Sequence, residues 1–367
     1  MKIAFYAPLK PLDHPVPSGD RKMARQLVAA LRAGGHTVDI ACDLRMHAAT
    51  PHDAGRLDQA RREADAIIAR WQRQGGAGAD LWFSYHPYYK APDVVGPIIC
   101  RHFGIAYVTA EASYAGKRDG DAWQASQALV IDAIGLARVN FCLTPGDAEG
   151  LARIAAADRL VMLAPFIETT GGGGVKARRL HAPVRLVSVA MMRPGVKVQS
   201  YRFLAVALAR LGAPDWHLTV VGDGPAMAEV RQAFAGLGPD RVGFSGELAP
   251  EAVKTLLGDS DIFVWPGFGE AYGLAYLEAQ AAGLPAVALH THGVPSVVCH
   301  GKTGLLVKDA APDAFAAAIA RIARDPALYG KFSRQARRFV AEERSLKAAA
   351  AILDRHLAPL TARQATA

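Results

Sequence analysis

Cysteine is scarce in this chain of 367 residues: Cys42, Cys100, Cys142 and Cys299 stand far apart, with no CxxC spacing. That excludes a disulfide framework and a cysteine zinc site, and leaves buried thiols as the expectation. Long apolar runs are lacking too; none approaches the ~18 residues that a membrane-spanning helix needs. The opening MKIAFYAPLKPLDHP does not have the pattern of a signal peptide, so the expected location is the cytoplasm. No arginine-rich arm or nucleic-acid motif accompanies the excess of 42 basic over 34 acidic residues. By count, residues 1–170 carry 19 basic and 18 acidic side chains, which leaves 23 and 16 for the rest. A basic second half without such motifs points to a phosphate-bearing ligand or to solubility rather than to nucleic acid. No DxD-like carboxylate cluster offers itself to a divalent metal, and no full GxGxxG follows the first strand.

What is present is a rhythm. KIAFYAP (2–8) reads as a strand. A helix follows with Met23, Leu27, Val28 and Leu31 at helical spacing, stopped by Gly34-Gly35 before a second strand. LWFSYH, AYVTAE, NFCLTP and RLVMLAP continue as strands between helix-length segments, and residues 53–73 form one longer polar helix. Four consecutive glycines, 171–174, cannot hold a regular element and mark a linker over 168–182. The rhythm restarts with VRLVSVA, HLTVVGD, VGFSGE, IFVWPG and AVALH, and the tail from Asp313 to about His356 reads as helical. The fold class is therefore α/β: two Rossmann-like, doubly wound domains, 1–167 and 183–345, facing across a cleft. A C-terminal helix, 346–367, is expected to pack back on the first domain. Ligands of such sheets sit beyond the carboxyl ends of the strands.

Three stretches carry chemistry there. VVGDGPAM places Gly222 and Gly224 at a strand-to-helix turn, where backbone can approach an anion; such a turn needs glycine in any case. VAMMRPGVK sets Arg193 and Lys197 around Pro194-Gly195, a forked donor and a point charge suited to a diphosphate, although cations on an exposed loop are ordinarily just solvated. GEAYGLAYLE sets Glu270 and Glu278 eight residues apart at the edge of apolar sequence, Glu278 about two turns into the helix. Carboxylates accept hydroxyl donors in pairs, so a vicinal diol of a sugar and a neighbouring cation would satisfy them.

The run PGFGEAYGLAYLEAQAAGLPAVALHTHGVPSVVCHGKTGLLV resembles the signature of glycosyltransferase family 4 (glycosyl transferases group 1). MKIAFYAP with PSGDRKMARQLVAALRAGGHTVDI, VSVAMMRPGVK, VVGDGP and FSGEL resemble the family in the same order, over nearly the whole chain. The resemblance implies the GT-B fold. It implies that Glu270 contacts the donor sugar, Glu278 the ribose, and Arg193 with Lys197 the diphosphate. Backbone around Ala271, Tyr272, Gly273 and Leu274 would cradle sugar and phosphate, together with Gly222, while Gly246, Glu247 and Leu248 would meet the base. Gly19 would approach the phosphates, and His86 would lie beside the transferred sugar. Three departures stand out. The Arg193–Lys197 spacing is one residue short, Ser296 replaces a glutamate, and Glu111 stands where relatives often have histidine. Glu111 is either an acceptor-side group or a structural acid.

The expectation is a retaining, metal-independent glycosyltransferase without cofactor. It would move a sugar from a UDP-sugar, with GDP next, to a glycan or lipid-linked acceptor. Acceptor-side loops would be 9–18 and 112–121, and peripheral membrane contact is left open by Arg321, Arg324, Lys331, Arg334, Arg337 and Arg338. A sugar-nucleotide epimerase or a non-catalytic sugar-nucleotide-binding protein would share the architecture. A dinucleotide-dependent oxidoreductase would rest on GDGPAM alone.

Overall fold

The computed structural model describes residues 1–51, 53–169, 178–212 and 214–362. The chain divides into two compact units, one of Met1–Ala164 with the helix from Leu346 onward, the other of Pro165–Ser345.

The first unit alternates strand and helix: β1 (Lys2–Tyr6), α1 (Gly19–Ala33), β2 (Thr37–Cys42), α2 (Ala54–Arg73), β3 (Leu81–Tyr85), α3 (Val95–Phe103), β4 (Ala106–Ala110), α4 (Gln124–Leu136), β5 (Val139–Cys142), α5 (Pro145–Leu151) and β6 (Leu160–Met162). The strands run parallel in the order β2-β1-β3-β4-β5-β6. Every residue of β3, β4 and β5 is buried, which is how strands read when helices cover both sheet faces.

The second unit repeats the plan: β7 (Val184–Val189), α6 (Val196–Ala209), β8 (Trp216–Val221), α7 (Met227–Phe234), β9 (Val242–Gly246), α8 (Pro250–Asp259), β10 (Ile262–Val264), α9 (Leu274–Ala281), β11 (Ala286–Leu289), β12 (Gly304–Val307), α10 (Pro312–Arg324) and α11 (Pro326–Glu343). Its parallel order is β12-β11-β10-β7-β8-β9. The last helix, α12 (Leu346–Ala362), belongs to the first unit and packs on α1, with Asp354 3.6 Å from the buried His36 imidazole. The helical tail is three helices. Asp325 caps α11 by accepting from Leu328 N at 2.9 Å, and Pro326 cannot continue α10. β12 was not expected. Its first residue must be glycine, because a Cβ on Gly304 would lie 2.0 Å from Ala286 O.

Of the expected linker, residues 170–177, glycines included, lie outside the described residues. Just beyond them Arg178 donates to the carbonyls of Gly258 (2.7 Å), Ser260 and Ala282 (3.3 Å), acceptors at the C-terminal ends of α8 and α9. His181 Nδ1 lies 2.8 Å from the fully buried Asp261 carboxylate.

Chain order reverses between β1 and β3 in one sheet and between β7 and β10 in the other. Strand ends diverge there and leave room for a ligand.

Beneath the first reversal, Asp93 is 1% exposed and accepts from Trp82 Nε1 (3.0 Å), Tyr107 OH (3.0 Å) and Gly96 N (2.8 Å). Burial pushes its pKa up, and those hydrogen bonds oppose the rise. Asp93→Ala leaves three buried donors unmatched and is expected to cost about 3 kcal/mol in urea denaturation. Asp93→Asn, which still accepts, should cost less; a midpoint for Asp93→Ala equal to wild type would refute this account.

Candidate functional site

At the second reversal, two loops are shaped by glycine. Gly195, with φ +85°, turns the chain after β7 into α6 and puts Lys197 in the first turn. After β10, Gly267 (φ +80°) and Gly269 (φ +63°) carry the chain past α6 to Glu270. A Cβ on Gly267 would meet Tyr276 OH at 2.4 Å, and one on Gly269 would crowd Val196 at 3.1 Å. The loops bring the Lys197 ammonium onto Glu270 Oε1 in an ion pair. Trp265 Nε1 donates to the same oxygen at 2.9 Å, and the ammonium lies 5.6 Å from the Trp265 ring centroid. Both charged side chains are less than one-fifth exposed, at 19% and 17%. Carboxylate and cation therefore satisfy each other where either alone would be costly.

Ala271, Tyr272 and Gly273 form a loop, and α9 begins at Leu274 with Gly273 (φ +84°) before it. The first N–H groups of a helix have no i−4 acceptor and point at whatever sits before it. Because 270–273 is loop, Glu278 lies just over one turn into α9 rather than two, and it is half-buried. Arg193 stands exposed on the β7 loop, and among the described residues no carboxylate pairs with it.

Gly222 and Gly224 have a steric reason first. Their added Cβ atoms would lie 2.0 Å from Ala190 O and 2.4 Å from Met192 O. That closeness lets Met192 N bond Asp223 O (2.8 Å) and Gly222 N bond Gly246 O (2.8 Å), lacing the ends of β7, β8 and β9 together. Gly246 (φ +67°) has open space about it, followed by exposed Glu247 and half-buried Leu248.

The first unit's reversal holds a second cluster. Gly19 opens α1 behind the cap Ser18, and Asp20 follows in the first turn. His86 ends β3 with φ +59° and Glu111 ends β4 with φ +56°, left-handed backbone that costs a non-glycine residue about 1–3 kcal/mol. His86 Nδ1 lies 3.4 Å from Asp20 Oδ1 and 3.8 Å from Glu111 Oε1, and Tyr85 OH donates to Glu111 Oε2 at 2.9 Å. Burial alone would lower the histidine's pKa, but Glu111 and Asp20 outweigh it and push it up to about 9. Burial raises the pKa of Glu111 against the pull of His86, while His86 lowers that of Asp20 despite burial. At neutral pH the group is an imidazolium beside the Asp20 carboxylate, with Glu111, raised to about 7 by burial, close to its midpoint. Glu111 is 6% exposed, with His86 and Tyr85 against its carboxyl group. Sequence reading passed over Asp20 because an acid in a helix's first turn is explained by the helix dipole. Its one signal was adjacency to Gly19.

Among the described residues no three His, Cys, Asp or Glu side chains are grouped to hold a metal ion, and no helix is long and apolar enough to cross a membrane. A groove lined by Arg185, Trp216, His217, Asp240 and Asp259 lies at the amino ends of β7 and β8, the wrong end of the sheet for the Lys197–Glu270 pair.

Residues 183–325 match the family model of glycosyl transferases group 1. The D-inositol 3-phosphate glycosyltransferase of Streptomyces avermitilis is 30% identical over 253 residues, 54% of this chain and 53% of that one. A GDP-mannose-dependent phosphatidylinositol monomannoside mannosyltransferase of Mycolicibacterium smegmatis is 33% identical over 138 residues, 35% of this chain and 36% of its own. The chain thus spans about half, or less, of the length of these curated relatives. Anabaena HepE in complex with UDP superposes with a TM-score of 0.73 at 17% identity, over 98% of this chain and 100% of that one. The sucrose-phosphate synthase of Thermosynechococcus elongatus gives 0.72 at 18%, over 99% of each. At such identities the likeness is one of fold, and the fold is GT-B. Over residues 183–325, then, the chain is similar to the glycosyl transferases group 1.

Proposed function

We propose that this protein is a retaining glycosyltransferase, moving a sugar from a nucleoside diphosphate donor to an acceptor hydroxyl in polysaccharide or glycoconjugate synthesis. The observation that carries the reading is the Lys197–Glu270–Trp265 cluster at the reversal point of the second sheet. In it an ammonium stands next to a carboxylate whose other lone pairs can take sugar hydroxyls. The leaving group is a diphosphate. Lys197, Arg193 and the start of α9 supply the positive charge that it needs as it departs, the service a divalent metal would otherwise give. Glu278 accepts from the ribose diol, and the loop at Gly246–Leu248 meets the base. UDP is the favoured base carrier, in keeping with the UDP-bound fold relative. GDP is second, in keeping with the mannosyltransferase relative.

On the acceptor side, the His86 imidazolium donates an N–H to an oxygen of the transferred sugar. Asp20 and Glu111 keep that proton on it. Attack comes from the same face as departure, with the leaving phosphate taking the acceptor proton, so the sugar keeps its configuration without a covalent enzyme intermediate.

A thermal-shift panel of UDP, GDP, ADP and NAD, with and without EDTA, tests the donor half. One nucleoside diphosphate should raise the melting temperature equally in both conditions, and Glu278→Ala should abolish the rise. A shift that needs metal, or one given by NAD alone, would overturn the reading. In turnover assays Glu270→Ala is expected to lower kcat by roughly 100-fold with a small change in donor KM, because its sugar contacts matter at the transition state. Wild-type kinetics in both variants would mean that the site lies elsewhere.

The histidine sets a pH dependence. A pKa raised on folding contributes stability fully below the unfolded value of ~6.5, and that contribution disappears as pH climbs through about 9. Wild type should therefore melt above His86→Gln at pH 6, and the gap should close by pH 10. A gap constant over that range would show that the imidazolium is not held as described.

A further inference from the structure

Past His86 the first unit carries a feature that neither the donor chemistry nor the His86 cluster uses. Tyr88 N and O bond Ala91 O (3.3 Å) and N (2.8 Å), closing a tight turn with Tyr89 and Lys90 at its tip. The ring of His86 lies 5.4 Å from that of Tyr88, Tyr88 5.4 Å from Tyr89, and Tyr89 5.1 Å from Trp123, just before α4. Trp123 is covered, at 8% exposure, and forms the back wall, while Tyr88 and Tyr89 are half-exposed. Two cations attend the rings. Arg118, from the loop that follows β4, lies 4.8 Å over Tyr89 and is neutralised by Asp121 at 2.6 Å. Lys90 Nζ lies 5.9 Å from the Tyr89 ring and 5.8 Å from that of Trp123. Among the described residues no carboxylate pairs with it.

We propose that Tyr88, Tyr89 and Lys90 form an acceptor subsite for a sugar ring that bears an anionic group, carboxylate or phosphate. The proposal rests on the acceptor-side reading of this unit. Aromatic faces carry negative charge and sugar C–H groups are weakly positive, so a pyranose lies flat on a tyrosine with little desolvation cost. The tight turn fixes Tyr89 in advance, so little conformational entropy is lost on binding. Lys90 is a flexible point charge held against the rings of Tyr89 and Trp123 with no carboxylate partner among the described residues, and so can meet an anion on the sugar that the ring holds. Arg118, tied to Asp121 and to Tyr89 OH at 3.4 Å, holds the tyrosine rather than the ligand. The row of rings begins at His86, where the transferred sugar is expected, so a ring on Tyr89 is one that has already been built into the acceptor.

Saturation-transfer NMR on the full chain, with methyl β-glucoside, methyl β-glucuronide and glucose 1-phosphate as probes, tests this. The subsite predicts that at least one of the two anionic probes binds about fivefold tighter than the neutral glucoside, and which one it is names the anion. Lys90→Gln should remove that preference while leaving the glucoside affinity unchanged. Tyr89→Ala should weaken every probe about tenfold, and Tyr89→Phe, which keeps the ring, should bind as wild type. Inorganic phosphate alone should not displace the glucoside. Equal affinity for all three sugars, or an anion preference that survives Lys90→Gln, would overturn the proposal. So would undiminished binding in a folded Tyr89→Ala. The UDP shift of the donor test is read separately on the same variants: if it persists while the sugar probes fail, the subsite is wrong and the donor reading stands.

Discussion

A carboxylate at the rim of an apolar core is tolerable only with a cation against it, and at Glu270 that cation is Lys197. Much of the second unit's local structure serves this contact. The two residues are 73 positions apart, and they meet because β7 and β10 are neighbours across the point where the sheet reverses. Gly195, Gly267 and Gly269 permit the two loops to turn, and Trp265 fixes the carboxylate from beneath. Without a ligand the pair is self-neutralised. A diphosphate would share the ammonium, and sugar hydroxyls would take up lone pairs on the carboxylate.

The first unit solves the mirror-image problem. There the cation is a histidine and the carboxylates are two, and the backbone takes on left-handed strain at both His86 and Glu111 to bring them together. Strain at two adjacent strand ends persists only where surrounding packing over-determines it. Tyr85 and the fully buried strands β3 and β4 provide that packing.

The alternation of strand and helix was readable because buried parallel strands are continuous apolar runs and the helices keep their own period. What escaped reading did so for identifiable reasons. β12 is four residues long and has the look of a loop end. The break at Asp325-Pro326 carries an explicit capping signal, but it lies inside sequence that is helical on both sides. The resemblance attached roles to Lys197, Glu270 and Glu278 one at a time; that the first two pair is a fact of topology, which no local pattern encodes. Left-handed backbone at a histidine or a glutamate leaves no mark in the sequence, and the placing of Asp20 beside His86 needs the adjacency of β1 and β3. The glycines at 222 and 224 were readable as an approach to a ligand or as a turn that needs glycine; that Ala190 and Met192 pack against them is a contact between strands that no local pattern shows.

That last feature constrains how such a protein can be altered. Gly246 O holds Gly222 N, and Asp223 O holds Met192 N, next in sequence to Arg193. Three loops that would otherwise be independent modules are one hydrogen-bonded block. Lengthening the turn after β9, where the base is proposed to lie, pulls on the turn after β8 and through it on the loop that carries Arg193 and Lys197. Under the proposed function, donor preference would therefore be changed by side chains within a fixed backbone, since loop grafting there would disturb the placement of charge.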